Sequence, residues 1–156
     1  MKKLHAVVAA LFLLAPVHSF AATTGAVFTG AVLSTCSLVA GTPGIVAPSA
    51  DYTAMSSHNA GGQSSAVSAT ATASIYRITT QAPSGFSVGP GDANTNTSFT
   101  SSYALSGSTN AVEVDGATST ALNTGISAVT VNMAATKSSG VFSVGAYTAT
   151  VTVRCE

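Results

Sequence analysis

The chain has no tryptophan, only two cysteines, and charged side chains at just 6% of its 156 residues. Each scarcity excludes something. Without tryptophan there is no broad aromatic platform, which counts against a sugar-cleaving cleft built on a carboxylate pair. The sparse basic residues leave no cationic footprint. Beyond residue 21 there are three, Arg77, Lys137 and Arg154, against the five acids Asp51, Asp92, Glu113, Asp115 and Glu156, a net charge of −2. Nucleic-acid partners and anionic lipid surfaces both require the opposite sign. No apolar run reaches the roughly 20 residues of a membrane-spanning helix, so no transmembrane segment is expected.

The first 21 residues read as a secretory signal peptide. Met1-Lys2-Lys3 supplies a positive start, Ala6 to Ala15 an apolar core, and Ser19-Phe20-Ala21 the small residues of a cleavage site. Cleavage is expected after Ala21, leaving residues 22–156 as one domain. An even cysteine count in an exported chain favours a disulfide, so Cys36 and Cys155 are expected to pair. Closing so long a loop restricts the unfolded chain by about 4–5 kcal/mol.

Serine and threonine make up close to a third of residues 22–156, with alanine, valine and glycine filling much of the rest. This β-branched, weakly charged composition favours pleated strands over disorder. Few large side chains remain to anchor a core: Phe28, Phe86, Phe99, Phe142 and the four tyrosines.

Alternation with period two runs through most of the chain and predicts its strands. Gly25 to Leu38 reads as an opening strand, with Phe28, Gly30, Val32, Ser34 and Cys36 on one face. Ser65 to Ala73 alternates cleanly, and a slip near Ile75 marks a bulge or a new strand. Phe99 to Leu105, Val112 to Val114 and Val129 to Met133 follow. The clearest strand is the last, where Tyr147, Ala149, Val151, Val153 and Cys155 form one row. About seven short strands separated by turns point to an all-β, immunoglobulin-like β-sandwich, with a jelly-roll-like sandwich as the alternative.

The candidate chemistry is thin. His58 is the one histidine after the leader, and Asp51 with nearby serines could nominally complete a triad. No G-x-S-x-G elbow is present, so a solvated loop histidine is the expectation. Asp92-Ala93-Asn94-Thr95-Asn96 opens like a calcium loop, but Thr97 and Tyr103 stand where the glycine and glutamate belong. Glu113 and Asp115 are expected on one solvent face. Asn96-Thr97-Ser98 fits a glycosylation sequon. No catalytic residue, metal or cofactor is assigned.

Two stretches carry a family likeness. Gly25 to Cys36, an alternating apolar extension ending in a cysteine, resembles the N-terminus of chaperone–usher fimbrial subunits. Gly145-Ala146-Tyr147-Thr148-Ala149-Thr150-Val151-Thr152-Val153 looks like the G-x-Y-x-x-T-V-x-V ending of spore coat protein U-type domains. The chain departs from the fimbrial pattern in two ways. Its second cysteine is almost the last residue, and Arg154-Cys155-Glu156 replaces a penultimate tyrosine.

The resemblance implies a non-enzymatic structural or adhesive subunit of a surface fibre or coat, assembled by β-strand addition. Val27, Phe28, Val32 and Leu33 would belong to the donor strand. The implied partners are further copies or other fibre subunits, with a periplasmic chaperone and an outer-membrane usher in processing. The place would be the periplasm, the cell surface or an extracellular fibre. The alternative is a monomeric secreted sandwich that binds a glycan or a host protein. The terminal strands lack the lysines and prolines that usually guard sheet edges, so either the edges are covered within the chain or strand addition between subunits is their purpose.

Overall fold

A computed structural model of the chain describes residues 24–156, so the expected leader and its cleavage site lie outside the described residues. The contacts divide the chain after Ala31. Residues 24–31 have no regular structure and are exposed throughout.

The rest, from Val32, is all β. Ten strands follow in order: β1 Cys36–Ala40, β2 Ala47–Pro48, β3 Ala54–Ser56, β4 Ser65–Ala71, β5 Arg77–Gln81, β6 Thr97–Gly107, β7 Ala111–Asp115, β8 Thr120–Ala121, β9 Gly125–Lys137 and β10 Thr152–Cys155. They form a seven-stranded and a three-stranded sheet, both antiparallel, consistent with the expected β-sandwich. No helix among the described residues is long and apolar enough to cross a membrane.

The thirteen-residue β9 organises the larger sheet. One of its edges pairs with β6 along its length, from Thr97↔Lys137 to Gly107↔Ser127. The other is shared, first by β4 from Ala71↔Gly125 to Ser65↔Val131, then by β3 from Ser56↔Ala134 to Ala54↔Thr136. β1 flanks β4, β2 flanks β3 and β7 flanks β6, while the smaller sheet runs β10-β5-β8. The slip near Ile75 is thus a change of sheet, since β4 lies in one and β5 in the other.

Alternation correctly assigns the inward faces. Ala69 and Ala71 of β4, Tyr103 and Leu105 of β6, and Val129 and Val131 of β9 are buried around Ile78 and Leu122. A second cluster gathers Met55, Phe86, Ala93, Ala135 and Phe142. Small side chains let the sheets approach closely enough for polar stitches. The fully buried Tyr103 hydroxyl lies 3.0 Å from the Ile78 carbonyl, 2.8 Å from that of Thr118 and 2.7 Å from the Thr120 hydroxyl. Gly116 donates its N–H to the Ser101 carbonyl and accepts from Thr80 N–H, both at 2.8 Å, joining the sheets through its backbone. A Cβ there would collide with the Ser101 and Thr80 hydroxyls, so only glycine fits.

Three expectations need correction. The opening strand does not start at Gly25; pairing starts at Cys36, opposite Ala71. Ahead of it the Thr72 hydroxyl takes over from a ladder, accepting Thr35 N–H at 2.6 Å and donating to the Leu33 carbonyl at 2.9 Å. Phe28, expected in the core, is 93% exposed, and Tyr52, expected likewise, is more than half exposed. Tyr52, Phe86 and Phe142 stand in connecting segments.

Candidate functional site

The closing stretch of the chain is only partly covered. Tyr147, Ala149, Val151, Val153 and Cys155 all face inward, as their spacing predicts, yet each is only half-buried. Ladder pairing covers Thr152 to Cys155, on β5, with an isolated bridge from Thr148 to Val88, and among the described residues the opposite edge of β10 has no partner. Beside that edge, between the sheets, lies a cleft of about 670 Å³. Val67, Val131 and Met133 line it from the larger sheet, Val46 from the approach to β2, and Ala149 and Val151 from the chain leading into β10. None of its lining residues carries a charge.

A disulfide closes one end of this region. Cys36 and Cys155 are bonded, with Cα atoms 6.2 Å apart, tying the first strand of the larger sheet to the last strand of the smaller. At the other end stands an aromatic group. Phe86 meets Phe99, Phe142 and Tyr147 edge to face, with ring centroids 5.0 to 5.9 Å apart. The Tyr147 hydroxyl donates to the Ser143 carbonyl at 2.5 Å. Burial, reinforced by the Asp92 carboxylate, raises the pKa of that hydroxyl. A smaller hollow of about 180 Å³ opens beside it, lined by Pro48, Tyr52, Met55, Phe142, Val144 and Tyr147 among others.

The donor-strand candidates form no strand within their own chain. Val27, Phe28, Val32 and Leu33 are between 78% and 93% exposed, a large uncovered apolar area in an uncharged segment.

The remaining candidates resolve into structural roles. His58 is exposed but not merely solvated: its Nε2 lies 2.9 Å from Glu113 Oε1. Ser102 donates to the same oxygen, and Asn132 Nδ2 does so at 3.0 Å. These donors, Ser102 foremost, lower the Glu113 pKa against the opposing effect of burial. Ser57 and Ser64 in turn donate to Asn132 Oδ1. This is a hub centred on a carboxylate. A nucleophilic serine would need to donate to the imidazole, whereas Ser102 donates to the acid.

Asp51 also differs from its nominal triad role. It accepts from the Ser49 and Thr53 hydroxyls at 2.6 and 2.9 Å, which holds its pKa down at about 2. That network shapes the β2–β3 tip, where Tyr52 takes a left-handed φ of 58°. In the calcium-like loop, the cation is supplied by the protein. Lys137 is buried, donates to the carbonyls of Asp92 at 2.8 Å and Thr95 at 3.0 Å, and sits 5.2 Å over the Phe142 ring. Among the described residues no group of three histidines, cysteines or acids could hold a metal.

Periodicity along the chain pointed at the disulfide and at the inward row of the last strand. The His58–Glu113 link and the Lys137 plug escaped it, being contacts between residues 55 and more than 40 positions apart. No known protein family, curated protein or solved structure matches this chain.

Proposed function

We propose that the protein is a non-enzymatic structural subunit of a surface fibre or coat, an immunoglobulin-like sandwich short of one strand. A second copy, or another subunit of the same fibre, would supply that strand from its N-terminal segment. One observation carries the reading: an uncharged cleft beside the open edge of β10, in a chain whose segment 24–33 is itself uncharged, apolar and exposed. The unpaired N–H and C=O groups of an edge strand are a template for backbone pairing, and alternate side chains can fill the cleft. Burying Phe28, Val32 and their neighbours would return about 1.5–3 kcal/mol for each large side chain, before the costs of association. An exported subunit with such an edge would need shielding before assembly. A periplasmic chaperone and an outer-membrane usher are the partners the resemblance suggests.

Deleting residues 22–33 tests this. A deletion product that stays folded, alone or held by a chaperone, but cannot polymerise supports strand addition. A product that unfolds or aggregates means that the segment completes its own sandwich.

A second reading has one observation behind it. Tyr52 and Phe142 stand in connecting segments around a surface hollow, an arrangement a monomeric domain could use to bind a glycan or host protein. Full-length protein that remains monomeric at high concentration while binding a glycan through Tyr52 would favour it.

A further inference from the structure

We propose that the outer face of the larger sheet is a self-association surface, on which two copies stack sheet against sheet about a twofold axis. The contact is separate from strand addition and does not depend on it.

Register places four side chains in one outward row. Val39 of β1 stands opposite Ser68 of β4, Ser68 opposite Ala128 of β9, and Ala128 opposite Ser106 of β6. Ile126 and Thr130 flank the row on β9 and point the same way, since Ser127 and Val129 between them are buried. β1, β4 and β6 contain no charged residue, and β9 none before Lys137. A sheet face kept in water normally carries a polar, charged surface. Here Val39 is 63% and Ile126 62% exposed.

The face has a boundary. Asn132 also points outward, two residues beyond Thr130, yet it is only 4% exposed. The β3–β4 loop covers it: Ser57 and Ser64 donate to its Oδ1, and His58 reaches across to Glu113 of β7. This strap lies over the sheet at the Asn132 end and leaves the Ile126 end bare.

Those two ends decide how a second copy sits. An axis along the strands would bring both straps to the same end, where they collide. An axis across the strands, along the Val39–Ser106 row, carries each strap past the bare end of the other copy. Val39 then meets Val39, Ala128 meets Ala128, and Ile126 meets the second copy's Thr130. The same patch serves both partners, so the pair is closed and self-complementary. Small side chains let the sheets approach, and the two Ser68 hydroxyls can donate to and accept from each other.

Four strands about 4.8 Å apart and about 20 Å long offer about 400 Å² a side. A stable complex buries about 800 Å² per partner, so single copies pair weakly. Copies already tied together in a fibre or coat would multiply the contact and hold neighbouring assemblies side by side.

The test uses the full chain with a short bismaleimide linker, the native disulfide being checked by peptide mapping. Ala128→Cys should link to itself in a concentration-dependent way. Ile126→Cys should link to Thr130→Cys in a mixture, at least tenfold above any 126–126 link. Ala128→Lys sets two like charges face to face and should weaken the dimer seen in sedimentation at least tenfold, with unchanged melting, whereas Ala128→Ser should retain it. Phe28→Asp, aimed at strand addition, should leave the 128–128 link intact. A dimer that survives Ala128→Lys, or links that are mainly 126–126, overturns the stacking. So does loss of the 128–128 link in Phe28→Asp, since the association would then belong to the N-terminal segment. A wild-type chain that forms no fibres but gives the 128–128 link supports the stacking and counts against strand addition alone.

Discussion

β9 and the closing stretch Tyr147 to Cys155 both alternate in sequence, yet they end in different states. β9 is paired on both edges, and Val129, Val131 and Ala135 are at most 4% exposed. The closing stretch turns the same kind of row inward, but only Thr152 to Cys155 pair in a ladder, with a single bridge at Thr148, and the row stays half-covered. Alternation thus states which side of a strand seeks cover. It does not state whether the chain itself supplies that cover. The gap between these two strands is the physical content of the strand-addition proposal.

The contrast can be tested from several sides. The largest effect is expected where the open strand is held in place. Cys155→Ser should lower stability by about 2–5 kcal/mol, because a loop of 119 residues is released and the least supported strand loses its anchor. Denaturant unfolding measures it. A loss below 1 kcal/mol would mean that β10 is held by packing as firmly as β9.

Hydrogen exchange reads the comparison directly. Backbone amides of Val129 to Ala135 should exchange near the global unfolding limit, and those of Ala149 to Val151 at least about a hundredfold faster. Equal protection in isolated monomer would sink the idea of an uncovered edge. In assembled material the difference should shrink, since an added strand takes up the free groups.

Tyr103→Phe probes the closed half instead. It leaves buried acceptors at Ile78 and Thr118 without the phenol and should cost about 1–2 kcal/mol, with assembly unaffected. Phe28→Asp and Val32→Asp should behave in reverse. Each is expected to abolish assembly while shifting monomer stability by less than about 0.5 kcal/mol, as for exposed sites in general. Destabilisation by both would show that the segment already belongs to its own core.

The smallest effect concerns acid. Asp51 has its folded pKa lowered to about 2 from an ordinary 3.8, so its contribution is fully present above about pH 4. That contribution is lost as the pH falls towards 2. Glu113, also lowered, acts in the same direction. Asp51→Asn should flatten the acid limb of a stability–pH curve, and an unchanged limb would count against the Ser49–Asp51–Thr53 network.

Much of the fold was legible because β structure writes its faces locally. Ala69, Ala71, Tyr103, Leu105 and Val129 were all placed by spacing alone, and Cys155 fell in phase with the inward row. Strand limits were less legible because they depend on partners. Gly25 to Leu33 alternates like a strand but forms none among the described residues. Phe28 was assigned to the core on size, yet a side chain is buried only where some surface comes to meet it. The polar hub at Glu113 draws on four separate segments, through His58, Ser102, Glu113 and Asn132, and no local pattern encodes such a meeting.

Lys137 has a consequence beyond its own hydrogen bonds. A true calcium loop is ordered by an ion drawn from the medium, and its shape then follows the supply of that ion. Here the positive charge is covalently part of the chain, on a stem rooted in the central strand. Such a loop keeps its form in dilute or chelating surroundings, giving this end of the molecule a shape that does not follow the ionic content of the medium.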